Sequence, residues 1–186
     1  MSKQQLRMVW PKALLDQPPV VSVAAGYRLR TYQPGDEPNF FHVMSLAGFE
    51  GWDMNELLPW LKKILPNGWF LVEHEASGQL VATAMAVHNP TQYYPFGGEL
   101  GWVAGHPDHA GNKLGLTVCA AVIARLIKGG YTNIYLNTDD ERSPAIMIYL
   151  KLGFRPVLLT ADMTARWEAV CTTLSWPFTP DQWRVL

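Results

Sequence analysis

The sequence predicts an α/β fold, a mixed sheet with helices on both faces. Three observations predict it. Short stretches, 27–32, 69–75 and 80–88, carry the alternating or continuous apolar patterns of half-buried and buried strands. The run 99–154 reads strand, glycine turn, helix, strand, turn, helix. A β-α-β crossover of that kind joins parallel strands, whereas the hairpin before it is antiparallel, so the sheet is mixed. At 186 residues the chain is the size of one domain with a real core, with no repeat, low-complexity segment or linker to divide it. The expected division is an N-terminal tail, 1–20, and a single domain, 21–186.

The elements follow in order. Residues 1–20 hold Pro11, Pro18 and Pro19 and show no clear period, which suits a tail that is extended or packed on the surface. Residues 27–32 alternate and form the first strand. Pro34 and Gly35 break it, Asp36 is placed to cap a helix, and Pro38 suits its first turn. That helix stops near Gly48. Asp53 and Glu56 have capping-box spacing, and a second helix runs to about Ile64, with Pro59 early in it or kinking it. Pro66-Asn-Gly68 reads as a turn. Residues 69–75 and 80–88 form a hairpin across Ala76-Ser-Gly-Gln79. After an aromatic loop, 100–104 is the fourth strand. Residues 113–128 are apolar nearly all round and form a buried helix ended by Gly129 and Gly130. A strand at 133–138, a helix at 143–152 closed by Gly153, a strand at 154–159 and a helix at 162–174 complete the order.

Composition excludes several classes. A net charge of −1 creates no basic field to attract nucleic acid or an anionic membrane. The uncharged centre of the long helix, 114–124, is far shorter than the roughly 20 residues a membrane span needs. Lys3 and Arg7 precede a stretch interrupted by Pro11 and Lys12, a poor signal peptide. Cys119 and Cys171 suggest two reduced, buried thiols, hence a cytoplasmic protein without a disulfide framework, and no metal-ligand pattern is present. Eight Trp, seven Tyr and seven Phe exceed what the motifs need, and some could line an apolar pocket.

The glycine turn Ala110-Gly-Asn-Lys-Leu-Gly115 sits between a strand and a helix. The first amides of a helix lack intrahelical partners and point at whatever lies beyond its terminus, so such a turn can hold a pyrophosphate. Amides of Gly111 to Leu116, helped by Lys113, are the candidates. By itself the turn is also compatible with a plain strand-to-helix connection. It is not a Walker loop, because Gly-Lys-Ser/Thr is absent. A dinucleotide fold is a rival, since Asp139 and Asp140 follow the next strand, but such folds usually begin with their β-α-β unit.

Two motifs resemble the GNAT superfamily of acyl-CoA-dependent N-acyltransferases. Val103-Ala-Gly-His-Pro-Asp-His-Ala-Gly-Asn-Lys-Leu-Gly115 is similar to that family's pattern Val-x-x-x-Pro-x-x-Arg/Gln-Gly-x-Gly-x-Gly/Ala, with Ala110 in place of Arg or Gln and Lys113 in place of the middle glycine. Leu136-Asn-Thr-Asp-Asp-Glu-Arg-Ser-Pro-Ala-Ile-Met-Ile-Tyr-Leu-Lys-Leu-Gly-Phe154 is similar to the downstream strand, the Asn-x-x-Ala-x-x-x-Tyr helix and the Lys-Leu-Gly-Phe ending, with Arg142 where many relatives carry Asn. The likeness covers residues 98–160 well and 27–97 by element order.

The resemblance implies a mostly antiparallel sheet splayed between its fourth and fifth strands, and acetyl-CoA as cofactor. It places the pantetheine arm against backbone at Trp102, Val103 and Ala104. The pyrophosphate falls on His109, Ala110, Gly111, Asn112, Lys113, Leu114, Gly115 and Leu116, and Asn137, Arg142, Ser143 and Tyr149 complete the cofactor side. It implies an acetyl transfer to a primary amine of a small molecule or peptide by direct attack, with no enzyme nucleophile; Cys119 is core. Tyr149 is the expected acid and Glu99 the expected base, with His42 and His88 as weaker bases and a water relay as another route. His106, like His109, is expected at the cofactor or in water. Trp52, Trp60, Tyr93, Tyr94 and Phe96 suggest an apolar acceptor pocket, and Asp53, Glu56 and Glu73 could hold an amine. A non-catalytic acyl-CoA-binding module is the alternative, and a homodimer through edge strands or the Trp-rich C-terminus is an open expectation.

Overall fold

The computed structural model describes residues 4–185. It contains an eight-stranded sheet: β1 (Leu6–Val9), β2 (Tyr27–Thr31), β3 (Ile64–His74), β4 (Gln79–His88), β5 (Gly97–Gly105), β6 (Asn133–Thr138), β7 (Arg155–Leu158) and β8 (Arg184–Val185). Their spatial order is β2-β3-β4-β5-β6-β1-β7-β8. The pairs β5–β6 and β7–β8 are parallel and the rest antiparallel. This is the mixed, mostly antiparallel sheet that the sequence predicts.

Among the described residues five α-helices cover it: α1 (Glu37–Leu46), α2 (Met54–Leu61), α3 (Leu114–Lys128), α4 (Ser143–Leu152) and α5 (Met163–Leu174). Side chains alternate across a strand, so the core divides along the sheet. One half joins Leu6, Met8, Leu100, Val118, Ile134, Leu136, Ile146 and Trp167, under α3, α4 and α5. The other joins Phe40, Met44, Leu57, Trp69, Leu71 and Met85, under α1 and α2.

The feature that positions a site is the incomplete contact between β5 and β6. Their register runs only through Gly97–Asn133, Gly98–Ile134 and Glu99–Tyr135. Beyond that point β6 pairs with β1 and β5 with β4, and the two strands part. The tight end is made by Gly98, where a Cβ would lie 2.8 Å from Leu126 and from Tyr131.

The first twenty residues differ most from the sequence expectation. Residues 6–9 are a strand inside the sheet, between β6 and β7, with Leu6, Met8 and Trp10 buried. The alternation Leu6-Arg-Met-Val-Trp10 is present, but Pro11 cuts it to a length that periodicity cannot separate from chance. Pro66-Asn-Gly68 is an irregularity inside β3 rather than a turn: the register shifts between Ile64 and Trp69, and Asn67 takes φ of +54°. Asp36 stands at the N-cap of α1 without capping it. Its carboxylate accepts from Arg30 at 2.7 and 2.8 Å instead. Asp53 does cap α2, accepting from the amides of Asn55 at 2.7 Å and Glu56 at 3.3 Å.

Candidate active site

Where β5 leaves β6 it also bulges. Thr83 faces Ala104 and Met85 faces Gly101, so two residues, Trp102 and Val103, oppose Ala84 alone. Trp102 takes φ of +56° at that step. Its indole turns to the α1–α2 face, 4.3 Å from the Trp52 ring and 4.8 Å from that of Trp60, while Val103 belongs to the opposite core.

A cavity of about 550 Å³ opens against the parted strand. Its walls are Val103, Ala104 and Gly105 of β5, His106, Pro107, His109, Ala110 and Gly111 of the turn, Lys113, the first residues of α3, and Arg142, Pro144, Ala145 and Ile148 at the start of α4. Of the cofactor residues expected from sequence, Val103, Ala104, His109, Ala110, Gly111, Lys113, Leu114, Gly115 and Arg142 line it. Trp102, Asn112, Leu116, Asn137, Ser143 and Tyr149 do not. Alternation along β6 puts Asn137 on the other side of the sheet, and the bulge in β5 puts Trp102 there. Asn112 turns back to donate to the His109 carbonyl at 3.1 Å. Ala47, Val81, Glu141 and Ile148 line the cavity with no sequence signal beyond their type.

The turn is built for close approach. Gly111 has φ of +86°, and Lys113, at the N-cap of α3, has φ of +59°. Both are left-handed positions, which cost an L-residue roughly 1–2 kcal/mol. A glycine in the place of Lys113 therefore has a plain conformational reason. In this chain the position carries a cation to the cavity wall instead. Arg142 adds a second: its Nη2 donates to the Val103 carbonyl at 3.1 Å, and its guanidinium lies 4.2 Å from the Phe49 ring centroid. Two cations, the first amides of a 15-residue helix and a groove of this volume suit a long ligand that bears phosphates.

Four of the five histidines form a chain of neighbouring rings, of which His106 and His109 line the cavity. Ring centroids are 6.1 Å apart for His42–His106, 5.3 Å for His106–His109 and 4.9 Å for His109–His74. Burial, then the neighbouring His74 and His106, push the His109 imidazole below its ordinary value. Among the described residues no group of three or more His, Cys, Asp or Glu is arranged to hold a metal.

Tyr149 is buried on α4, one residue past Ile148 and one turn past Ala145, with its ring 6.1 Å from that of Phe154. Burial drives its phenol well above the usual range, and the field of Cys119 adds to this. Cys119 is itself fully buried, its thiol pushed up by desolvation, so it packs as core. Glu99 is 9% exposed and sits where the strands begin to part. Burial raises its carboxyl, opposed by hydrogen bonds from Asn89 at 2.6 Å and Asn137 at 3.0 Å. Asn137 thus bonds the expected base rather than lining the cavity. Arg7, which no sequence motif singled out, donates from Nε to Asn137 Oδ1 at 3.0 Å. His88 bonds the Tyr131 hydroxyl at 2.9 Å. Glu73 is engaged by Arg28 and Arg30.

The class that fold and site define agrees with comparison to known proteins. The acetyltransferase (GNAT) family model matches residues 36–154, more than half of the chain. The chain belongs to that family. It is 28% identical over 170 residues to a mycothiol acetyltransferase of Saccharomonospora viridis, covering 84% of this chain and 52% of that protein. It is 32% identical over 94 residues to an uncharacterised N-acetyltransferase of Schizosaccharomyces pombe, covering 48% and 53%. A crystal structure of a GCN5-related N-acetyltransferase from Sphaerobacter thermophilus superposes with a TM-score of 0.61 at 22% identity, over 83% of this chain and 49% of that one. A tandem GNAT protein of the clavulanic acid biosynthesis pathway superposes at 0.54 with 18% identity, covering 83% and 51%. The chain spans about half the length of the curated relatives it matches.

Proposed function

We propose that this chain transfers an acetyl group from acetyl-CoA to a primary amine of a small molecule or peptide by direct attack. The observation that carries this is the cavity at the parting of β5 and β6, closed at one end by the glycine turn of α3. When bound, acetyl-CoA supplies its acyl group as an activated thioester. The amides at the start of α3, Lys113 and Arg142 would hold its phosphates and arm. The bulged backbone at 102–104, which has no β6 ladder partner, is the natural place for the arm and for a carbonyl that gains negative charge.

Glu99 is the base of this reading. Its raised carboxyl can accept a proton from the incoming amine, directly or through water, closer to neutral pH than an ordinary glutamate can. Tyr149 is the acid. Burial keeps its phenol protonated, so its contribution to the departing thiolate is a hydrogen bond more than a full proton. Cys119 takes no covalent part.

The test is amine-dependent release of free CoA thiol from acetyl-CoA across a panel of primary amines. Release with at least one amine is expected. Binding of acetyl-CoA without turnover across a broad panel would replace the enzyme by an acyl-CoA-binding module.

A further inference from the structure

The carboxylate of Glu99 is held by two amides, and each amide is held by a cation. Asn137 donates Nδ2–H to Glu99 Oε1 at 3.0 Å, while its Oδ1 accepts from Arg7 Nε at 3.0 Å. Asn89 donates Nδ2–H to Glu99 Oε2 at 2.6 Å, while its Oδ1 accepts from Lys63 Nζ at 3.3 Å. An asparagine amide has one accepting end and one donating end, and Arg and Lys only donate. Each cation therefore turns the amide oxygen towards itself and the NH₂ group towards the carboxylate.

We propose that Arg7 and Lys63 are positioning residues for Glu99, each acting through the asparagine that stands between them. With the cation gone, the amide is free to turn its oxygen to Glu99, an arrangement that suits only the protonated carboxyl. The two relays thus hold the carboxylate ionised and aimed although it is buried. Arg7 has no ion pair of its own among the described residues. Its guanidinium lies 5.0 Å from the Tyr135 ring centroid, and its Nη1 is buried without a hydrogen-bond partner. A cation so placed is used through Asn137.

The groups that face Glu99 from each element around it are few. They are Arg7 from β1, Lys63 from the segment before β3, and Tyr135 from β6. The Tyr135 phenol is pushed far up by burial and stays neutral, its hydroxyl donating to the Asn89 carbonyl at 2.7 Å. His88, next to Asn89, is turned to Tyr131.

The relay rests on the reading of Glu99 as the base only for its effect on rate. The test therefore has two readouts on the full chain. The Glu99 carboxyl is titrated by carbon-13 NMR of glutamate-labelled protein, its signal assigned with Glu99→Gln, in wild type, Arg7→Met, Arg7→Lys and Lys63→Met. The acid limb of kcat/KM is measured beside it. The midpoint should rise by about one pH unit in Arg7→Met and by less in Lys63→Met, with Arg7→Lys between wild type and Arg7→Met. Lys63 is exposed, so Lys63→Met is expected to fold even if Arg7→Met does not. A carboxyl that titrates as in wild type in Lys63→Met, and in Arg7→Met where folded, overturns the relay. A midpoint that moves while the rate limb stays still supports the relay and overturns Glu99 as the base.

Discussion

Lys113 concentrates two opposing demands in one residue. Its left-handed φ of +59° strains the backbone, while its charge lies on the cavity wall. Lys113→Gly should relieve the strain and change unfolding free energy by less than about 1 kcal/mol, because glycine also gains freedom in the unfolded chain. The same change should raise the KM for acetyl-CoA several-fold. Urea titration and initial rates check both. Tyr149→Phe should lower kcat more than it raises the KM for acetyl-CoA; an unchanged kcat would remove Tyr149 as the acid. The turn was legible because Gly and Pro fall at fixed spacing over a few residues. The surroundings of Glu99 were not, since Arg7 meets Asn137 across 130 residues of sequence and no local pattern announces that contact. Which side of the sheet Trp102 faces was hidden too, because the bulge reverses a count of alternating positions.

At the scale of elements, β1 is the part that local reasoning could not supply. A four-residue strand has almost no period to read, yet here it pairs with β6 and joins it to β7. Met8 is fully buried in it, so Met8→Ala should cost about 2–5 kcal/mol of unfolding free energy in a denaturant titration. The connection from β2 to α1 was readable as a break with a capping acid, but its energetics are tertiary. Arg30 joins Asp36 and Glu73, and its hydrogen bonds hold both carboxyls below their usual values of 3.8 and 4.5. Carboxyls lowered by folding stabilise the native state above their unfolded values. That stability is lost as pH falls through the lowered ones. Stability should therefore decline from about pH 4.5 downward, and Arg30→Met should flatten this slope while lowering stability near neutrality by about 2 kcal/mol. Unfolding curves from about pH 2 to about pH 7, which take in the lowered carboxyls and neutrality, decide it.

For the whole molecule, the order of strands and helices from residue 27 to 174 was legible because each long element carries its own period and each turn its own glycine or proline. Many of the aromatics prove to be core: Trp69 and Trp167 are buried, and Trp183 packs against Trp167 at 6.0 Å. Trp52, Trp60 and Trp102 instead gather over the bulge on the α1–α2 face, and none of the three lines the cavity beside α3. The central claim is that this cavity takes acetyl-CoA. Thermal unfolding with acetyl-CoA, beside CoA, NAD and S-adenosylmethionine, tests it most directly. Ligand at about a hundred times its Kd adds about 2.7 kcal/mol, which at this chain length raises Tm by several degrees. The account predicts that rise with acetyl-CoA and CoA and none with the other two. A rise with NAD or S-adenosylmethionine alone, or with none of the four, would contradict it.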